Sequence, residues 1–469
     1  MNTLEKIFSL TNTTDKKYKV ITLCGVKLKI KKDKLPKTKT QLQREITSLK
    51  EQVVKLNMFK EEQLIRRNYE HVLKRLQKEC KHRKINVVFL CNSNAKFSYT
   101  SLYKEFENNN NFNVKVLVTA TTGHLNNQYL KANYKNELIK NYEFFKEKNF
   151  CVELAYDIEN EEYINLNAFN PDIIFYGEPW DLAQIQSIPI TSRFALACFC
   201  CYGTTIHNGT YEYTMPFYRE LFKYFIDNYY AQELMIEHDV DPESLKVFGS
   251  IKLDAYLFPI DYSKKLWKSK DKKRVIYAPH HSFDKKTYLK YGTFDKNYKF
   301  FLEYAKNHND IEFILKPHPE LKKEIIQRKL MTKKQREKYF EEWAKLPNAQ
   351  ICEDGDYFDM FRTSDLMITD CNSFLSEYLP TEKPVIHLIS EHSVGHNKYG
   401  EQIIAGYYKS HSDEETENLL NNILYKNQDL LLEKRKKIIN TDFVWNREGT
   451  AKGIVKYIEN IIFNNGEME

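Results

Sequence analysis

Three short segments in the second half of the chain carry residues suited to handling phosphate. They are Ala278-Pro279-His280-His281-Ser282, Lys316-Pro317-His318-Pro319-Glu320 and Asp370-Cys371-Asn372-Ser373-Phe374-Leu375-Ser376-Glu377. Each follows a short apolar run of β type, at 274–277, 312–315 and 366–369. Ligands of open α/β sheets bind outside the carboxyl ends of the strands, so three successive strand exits would converge on one edge. Four basic groups, His280, His281, Lys316 and His318, would there meet a helix start at Ser373. Such a start leaves main-chain N–H groups for phosphate oxygens. Lys316 and the imidazoles would neutralise charge moving onto a leaving phosphate. One surface histidine is usually only solvated, and one Asn-Ser pair is usually only a cap; three such segments in series favour a pyrophosphate site.

Runs at 85–90, 114–118, 172–175 and 194–200 form a first series of strand candidates, separated by long helical or loop stretches. Runs at 246–248, 274–277, 312–315, 366–369 and 385–388 form a second. That alternation predicts two open parallel α/β halves, residues 85–240 and 245–445. A terminal amphipathic stretch at 448–463 predicts a helix in residues 446–469 that returns to the first half.

Ahead of the halves lies a different texture. Residues 39–82 hold no Gly or Pro, and apolar residues recur mostly every three or four positions, with a slip near Glu61. Residues 38–84 therefore predict one long helix, either a coiled coil and homo-oligomer contact or a helix folded back on its own chain. Residues 1–37 predict a basic hairpin-like leader, with 20–23 pairing 26–30 about Cys24-Gly25 and a period-2 alternation of apolar and lysine residues. Its cationic face would suit anionic lipid headgroups; the plain alternative is a domain edge with solvated lysines.

Composition narrows the function classes. The 469 residues carry a net charge of +7. Residues 1–90 hold 23 Lys+Arg against 9 Asp+Glu, a balance of +14, so the remainder carries −7. No GxGxxG or GxxxxGK[ST] occurs and only 14 residues are Gly, which argues against a dinucleotide oxidoreductase or P-loop NTPase. Nine irregularly spaced cysteines suggest neither a disulfide framework nor a zinc site, and fit a reducing cytosol. His387, His392 and His396 show no metal-ligand spacing, so no metal is expected. The first residues lack an apolar signal region, and the longest apolar run, 194–202, is far short of the roughly 20 residues a bilayer span needs. A cytoplasmic protein, peripheral at the inner face of the membrane, is the expectation. The 16–39 segment has only Tyr18 among its basic residues, so nucleic acid is not an expected partner.

APHHS, KPHPE and TDCNSFLSEYLPTEKPVI together resemble the motifs of the CDP-glycerol glycerophosphotransferase family, the teichoic-acid and capsule polymerases. The resemblance covers mainly residues 245–455, with a weaker match at 171–176. It implies a GT-B fold, two Rossmann-like domains facing a cleft. It also implies transfer of an alditol phosphate or related unit from a CDP-activated donor to a polysaccharide or lipid-linked acceptor. No tightly bound cofactor is implied, and Mg2+ stimulation is compatible with it. Residues 7–32 also resemble leaders of bacterial surface-polysaccharide transferases. Matched by position, His318 corresponds to a family histidine that contacts donor phosphates. Asp370 and Ser373 match its second phosphate segment, beside Asn372, with Glu377 one turn on. Phe248-Gly249-Ser250 matches the strand exit opening the donor half.

One segment departs from the family. Its Trp-His-Gly histidine corresponds here to Tyr202, within Cys200-Cys201-Tyr202-Gly203. A tyrosine of pKa about 10 is a poor base at neutral pH. The base is then His207, or His280 or His281, or the reaction differs. Trp180, after Glu178-Pro179, joins Tyr202 on the expected acceptor side, although a strand-end aromatic is more often core. A GT-B glycosyltransferase using a nucleotide sugar is the alternative enzyme; a membrane-binding scaffold is a third reading.

Overall fold

A computed structural model describes residues 8–15, 18–23, 26–31, 39–123, 134–209, 211–269, 271–353 and 355–464. The chain falls into two compact units, Met1–His71 and Val72–Glu469, and the boundary lies inside one helix.

The first unit contains an antiparallel sheet of three strands: β1 (Phe8–Asn12), β2 (Tyr18–Leu23) and β3 (Val26–Lys31). The expected β2–β3 pairing is present, with Leu23 opposite Val26. The turn at Cys24-Gly25 lies outside the described residues. The hairpin is extended by β1, which pairs Phe8 with Leu23. Its FSLTN pattern alternates too briefly to read as a strand in isolation, and a third strand supplies the support a bare hairpin lacks. The helix Lys39–Glu79 runs unbroken for 41 residues through the slip at Glu61, in keeping with its lack of Gly and Pro.

The second unit carries two parallel sheets. The first contains β4 (Ile85–Cys91), β5 (Phe112–Val118), β6 (Val152–Leu154), β9 (Ile173–Tyr176), β10 (Leu196–Cys200), β11 (Lys223–Ile226) and β12 (Leu245–Val247), in the order β12-β11-β10-β9-β4-β5-β6. A two-stranded ribbon, β7 (Tyr156–Asp157) and β8 (Glu162–Tyr163), lies between β6 and β9 in sequence. The second sheet contains β13 (Lys273–Ala278), β14 (Ile311–Leu315), β15 (Ala349–Ile351), β16 (Leu366–Thr369), β17 (Val385–Leu388) and β18 (Tyr408–Ser410), in the order β15-β14-β13-β16-β17-β18. The central strands are buried on both faces, which is why they read as continuous apolar runs. In β13, Val275 and Tyr277 enter one core with Phe313 and Ile368, while Ile276 and Ala278 enter another with Met367 and Leu375.

The strand at 246–248 was expected to open the second sheet. It is instead the edge of the first, pairing in parallel with β11 so that Tyr224 lies opposite Leu245. Its three residues carry too little pattern to choose a sheet; the short 229–237 helix that precedes it returns the chain to β11. The edge strands β15 and β18, AQI and YKS, were not expected for the same reason.

The terminal helix Thr450–Phe463 has its first amides, Thr450 N and Ala451 N, bound by Asp254 at 2.7 and 2.8 Å. Farther along, Glu459 accepts from Asn109 and Asn111, and Ile461 O accepts from Gln77, so the helix lies on the first half. The halves also meet through an antiparallel bridge between His207 and His396, flanked by Asn397 N donating to Ile206 O and Asn208 N to Gly395 O.

Candidate active site

The registers of β13, β14 and β16 bring three motifs side by side. Tyr277 lies opposite Leu315 and Ile368, so the residues after these strands leave adjacent positions. Lys316 N donates to Tyr277 O and His318 N to Pro279 O, which ties the second exit to the first. Asp370 ties the third. Its Oδ1 accepts from His280 N at 2.5 Å, and its Oδ2 from Thr293 N at 2.6 Å and Thr293 Oγ1 at 2.8 Å. Burial pushes the Asp370 carboxyl up to about 6, against the pull of these donors. Asp370 thus braces the site from within. Thr293 was not anticipated, since nothing in its local sequence marks it as a partner. Gly292, beside it, has no room for a Cβ, which would stand 2.7 Å from Phe283 N and 2.9 Å from His280 O.

The three histidines form one cluster. Ring centroids are 4.3 Å apart for His280 and His281, 4.1 Å for His281 and His318, and 4.9 Å for His280 and His318. Burial lowers the pKa of all three; for His318, burial and then His281 and Lys316 bring it to about 3. The imidazoles are therefore neutral near pH 7, and their hydrogen bonds assign the protons. His280 Nδ1 accepts from Ser282 N at 3.3 Å and lies 2.7 Å from Ser282 Oγ, itself an acceptor from Tyr291 N. His318 Nδ1 accepts from Glu320 N at 3.1 Å. In both rings the remaining nitrogen carries the proton. One nitrogen from each histidine lies within 4.8 Å of the others, a spacing a metal ion could use. The assigned tautomers instead offer N–H donors, which suit an anion.

Lys316 is buried at the same edge, with its Nζ 5.6 Å from the centroid of Tyr357. Lys252 Nζ stands at the same distance from that ring. It also donates to Tyr357 Oη at 3.0 Å and pairs with Glu377 at 3.2 Å, while Tyr357 Oη donates to Glu377 at 2.5 Å. Glu377, expected at the donor, is fully buried with both oxygens engaged. Lys252 is the partly open cation of this group. It lies two residues beyond Ser250, so the Gly249-Ser250 exit is the local signal that marks it.

The helix start differs from the expectation. The helix spans Asn372–Glu377 and its N-cap is Cys371, so Ser373 lies inside the first turn, its Oγ 3.6 Å from Cys371 Sγ. A serine cap was expected from residue type; the short exit from β16 begins the helix two residues earlier. Asn372 is buried and its Oδ1 has no partner, as is Ser250 Oγ at the other exit. Gly249 adopts φ +88°, where a side chain would be strained, and a Cβ would meet Val444 O at 3.0 Å.

His207 stands outside the three-histidine cluster. It is buried in the bridge to His396, its Nδ1 accepts from Gly209 N at 3.0 Å, and burial lowers its pKa to about 4. Trp180 and Tyr202 lie on the exits of β9 and β10, partly exposed, with ring centroids 6.3 Å apart.

Two parallel-sheet halves joined in one unit define a GT-B architecture. The fold is that of the UDP-GlcNAc 2-epimerase from Neisseria meningitidis bound to UDP-GlcNAc, at 15% identity over 80% of this chain and 98% of that one, with a TM-score of 0.51. A glycosyltransferase from Rickettsia africae gives 14% identity over 82% and 100%, with a TM-score of 0.44. Residues 261–433 match the family CDP-Glycerol:Poly(glycerophosphate) glycerophosphotransferase, and this segment holds all three histidines, Lys316, Asp370 and Glu377. Residues 261–433 thus form a glycerophosphotransferase-type segment within a chain of GT-B fold. No curated protein matches the chain.

Proposed function

We propose that the protein transfers glycerol phosphate, or a related alditol phosphate, from a CDP-activated donor to a hydroxyl of a polysaccharide or lipid-linked acceptor at the cell surface pathway's cytoplasmic stage. The observation that carries this is the cluster of His280, His281 and His318, in which the neutral rings of His280 and His318 present N–H donors beside Lys316. Such a group stabilises a diphosphate without first losing protons to solvent. In the proposed step the acceptor oxygen bonds to the donor's β-phosphorus while the bond to the bridging oxygen breaks. CMP leaves toward Lys316 and His318, and the acceptor proton passes to a histidine. His281 is the better base candidate, because its Nδ1 has no partner whereas His207 Nδ1 already accepts a main-chain N–H.

The test is donor turnover with CDP-glycerol, CDP-ribitol and UDP-sugars. CMP release with native protein, lost in His318→Ala, supports the proposal. Full activity in that variant overturns it, and release of UDP or CDP marks glycosyl transfer instead.

Attachment to an anionic membrane through residues 1–37 belongs to the same reading, supported by exposed Lys27 and Lys29 on β3. Self-association through residues 38–84 is supported by exposed Val54, Leu56, Phe59 and Leu64. No described helix is long and apolar enough to cross a membrane.

A further inference from the structure

The chain crosses between the halves after β12 and again before the helix Thr450–Phe463. A third, non-covalent connection is made by residues 203–209, which leave β10 and reach the second half. Their middle is not a surface loop. Ile206 is fully buried, and it lies in the core of the second half with Met367, Leu375, Tyr399 and Ile403. Gly400, on the helix Lys398–Ile404, makes room for it. A Cβ at Gly400 would stand 2.2 Å from Ile206 O and 3.0 Å from Ile206 Cβ, so only glycine allows this approach.

The backbone on either side of Ile206 is bonded to both halves. In the first half, the Asp227 carboxylate accepts the Thr205 N–H. In the second, Asn397 Nδ2 donates to Thr205 O at 3.0 Å, and Asn397 N donates to Ile206 O at 3.1 Å. Asn397 is itself fixed, 1% exposed, with its Oδ1 accepting from Gly400 N at 2.8 Å. Farther on, Asn208 N donates to Gly395 O at 3.1 Å. That carbonyl also accepts from Tyr291 Oη, and Tyr291 N donates to Ser282 Oγ, which lies 2.7 Å from His280 Nδ1. Hydrogen bonds therefore run without a break from residue 208 to the histidine cluster. Drawing the halves apart along this side would pull an apolar side chain into water and break these bonds together.

We infer that residues 203–209 are a strap that clamps the two halves, with Ile206 as its anchor, and that the cleft opens there only when Ile206 leaves its seat. The strap carries His207 and follows Tyr202, so its anchor also sets where both stand relative to His280. Ile206 and Gly400 are thus positioning residues, and the inference holds whatever group the protein transfers.

The experiment is hydrogen-exchange mass spectrometry with small-angle X-ray scattering on the full chain. In the native protein, peptides covering 203–209 and 395–400 should exchange slowly. Ile206→Ala should speed exchange in both by about tenfold or more, as one cooperative unit opens. The radius of gyration should rise, while β4 and β13 stay protected. Ile206→Val keeps most of the anchor and should stay close to native. Gly400→Ala, which crowds the seat from the other side, should reproduce Ile206→Ala. A role limited to local packing would loosen only the segment that carries the substitution and leave the radius unchanged, and that result overturns the inference. So does rapid exchange of 203–209 in the native protein. Should Gly400→Ala fail to fold, the Ile206→Ala and Ile206→Val pair carries the comparison.

Discussion

Asp370 Oδ1 accepts the main-chain N–H of His280 at 2.5 Å across 90 positions of sequence. The bond fixes where β13 ends relative to β16, and so where the first histidine of the cluster stands. With Thr293 on the other oxygen, the carboxylate serves three donors from two segments.

Asp370→Asn should therefore act through position. An amide keeps one acceptor and turns an N–H toward at least one of those donors, at a cost of about 1–3 kcal/mol. Thermal melting should drop by several degrees and transfer should fall with it. Unchanged melting would mean that the brace contributes nothing.

His318 should matter for chemistry more than for folding. Its replacement by Ala is expected to lower turnover by about 10²–10⁴-fold, the range for a group acting on transition-state charge or a proton. Circular dichroism should match the native protein. Loss restricted to KM, with kcat intact, would assign His318 to ground-state binding alone.

Acid should destabilise the fold through the buried imidazoles. His318 is held near 3, and His207 and His396 near 4, against about 6.5 in an unfolded chain. The unfolded chain binds protons first, so the stability these groups contribute is present above about 6.5 and is lost as pH falls toward 3. Asp370 and Asp227, raised to about 6 by burial, act in the opposite sense, because the native state takes up their protons first. His318→Gln keeps both aspartates and removes one imidazole. Its melting temperature should fall less steeply than the native protein's between pH 7 and 4.5; equal slopes would contradict the assignment.

Lys252 and Glu377 can be separated by a double-mutant cycle. Lys252→Met leaves Glu377 buried beside Tyr357 without its cation and should cost about 1–3 kcal/mol, below the range of a fully buried pair because Lys252 is partly open to water. Adding Glu377→Gln should restore much of the melting temperature. If donor turnover returns with it, Lys252 has only a structural role.

Deleting residues 1–37 should release the protein from anionic vesicles while leaving donor turnover intact. Equal sedimentation of both forms with the vesicles would remove the leader from membrane attachment.

The two-half α/β plan was legible because central parallel strands are buried on both faces, and INVVFL, RVIY, EFIL and LMIT record that burial directly. The three strand-exit motifs were legible for a related reason: parallel strands in one sheet deliver their carboxyl ends to one edge whatever the loop lengths. Strands of three residues were not, since Leu245–Val247 could belong to either sheet until its pairing with β11 was formed. Tertiary structure alone decided which motif residues engage other parts of the chain. Asp370 and Glu377 have the residue type of binding groups, yet His280, Thr293, Tyr357 and Lys252, distant in sequence, engage their oxygens. The protonation of the cluster was decided in the same way. Histidine content set the chemistry available near neutral pH, and only packing removed the water that would have charged the rings.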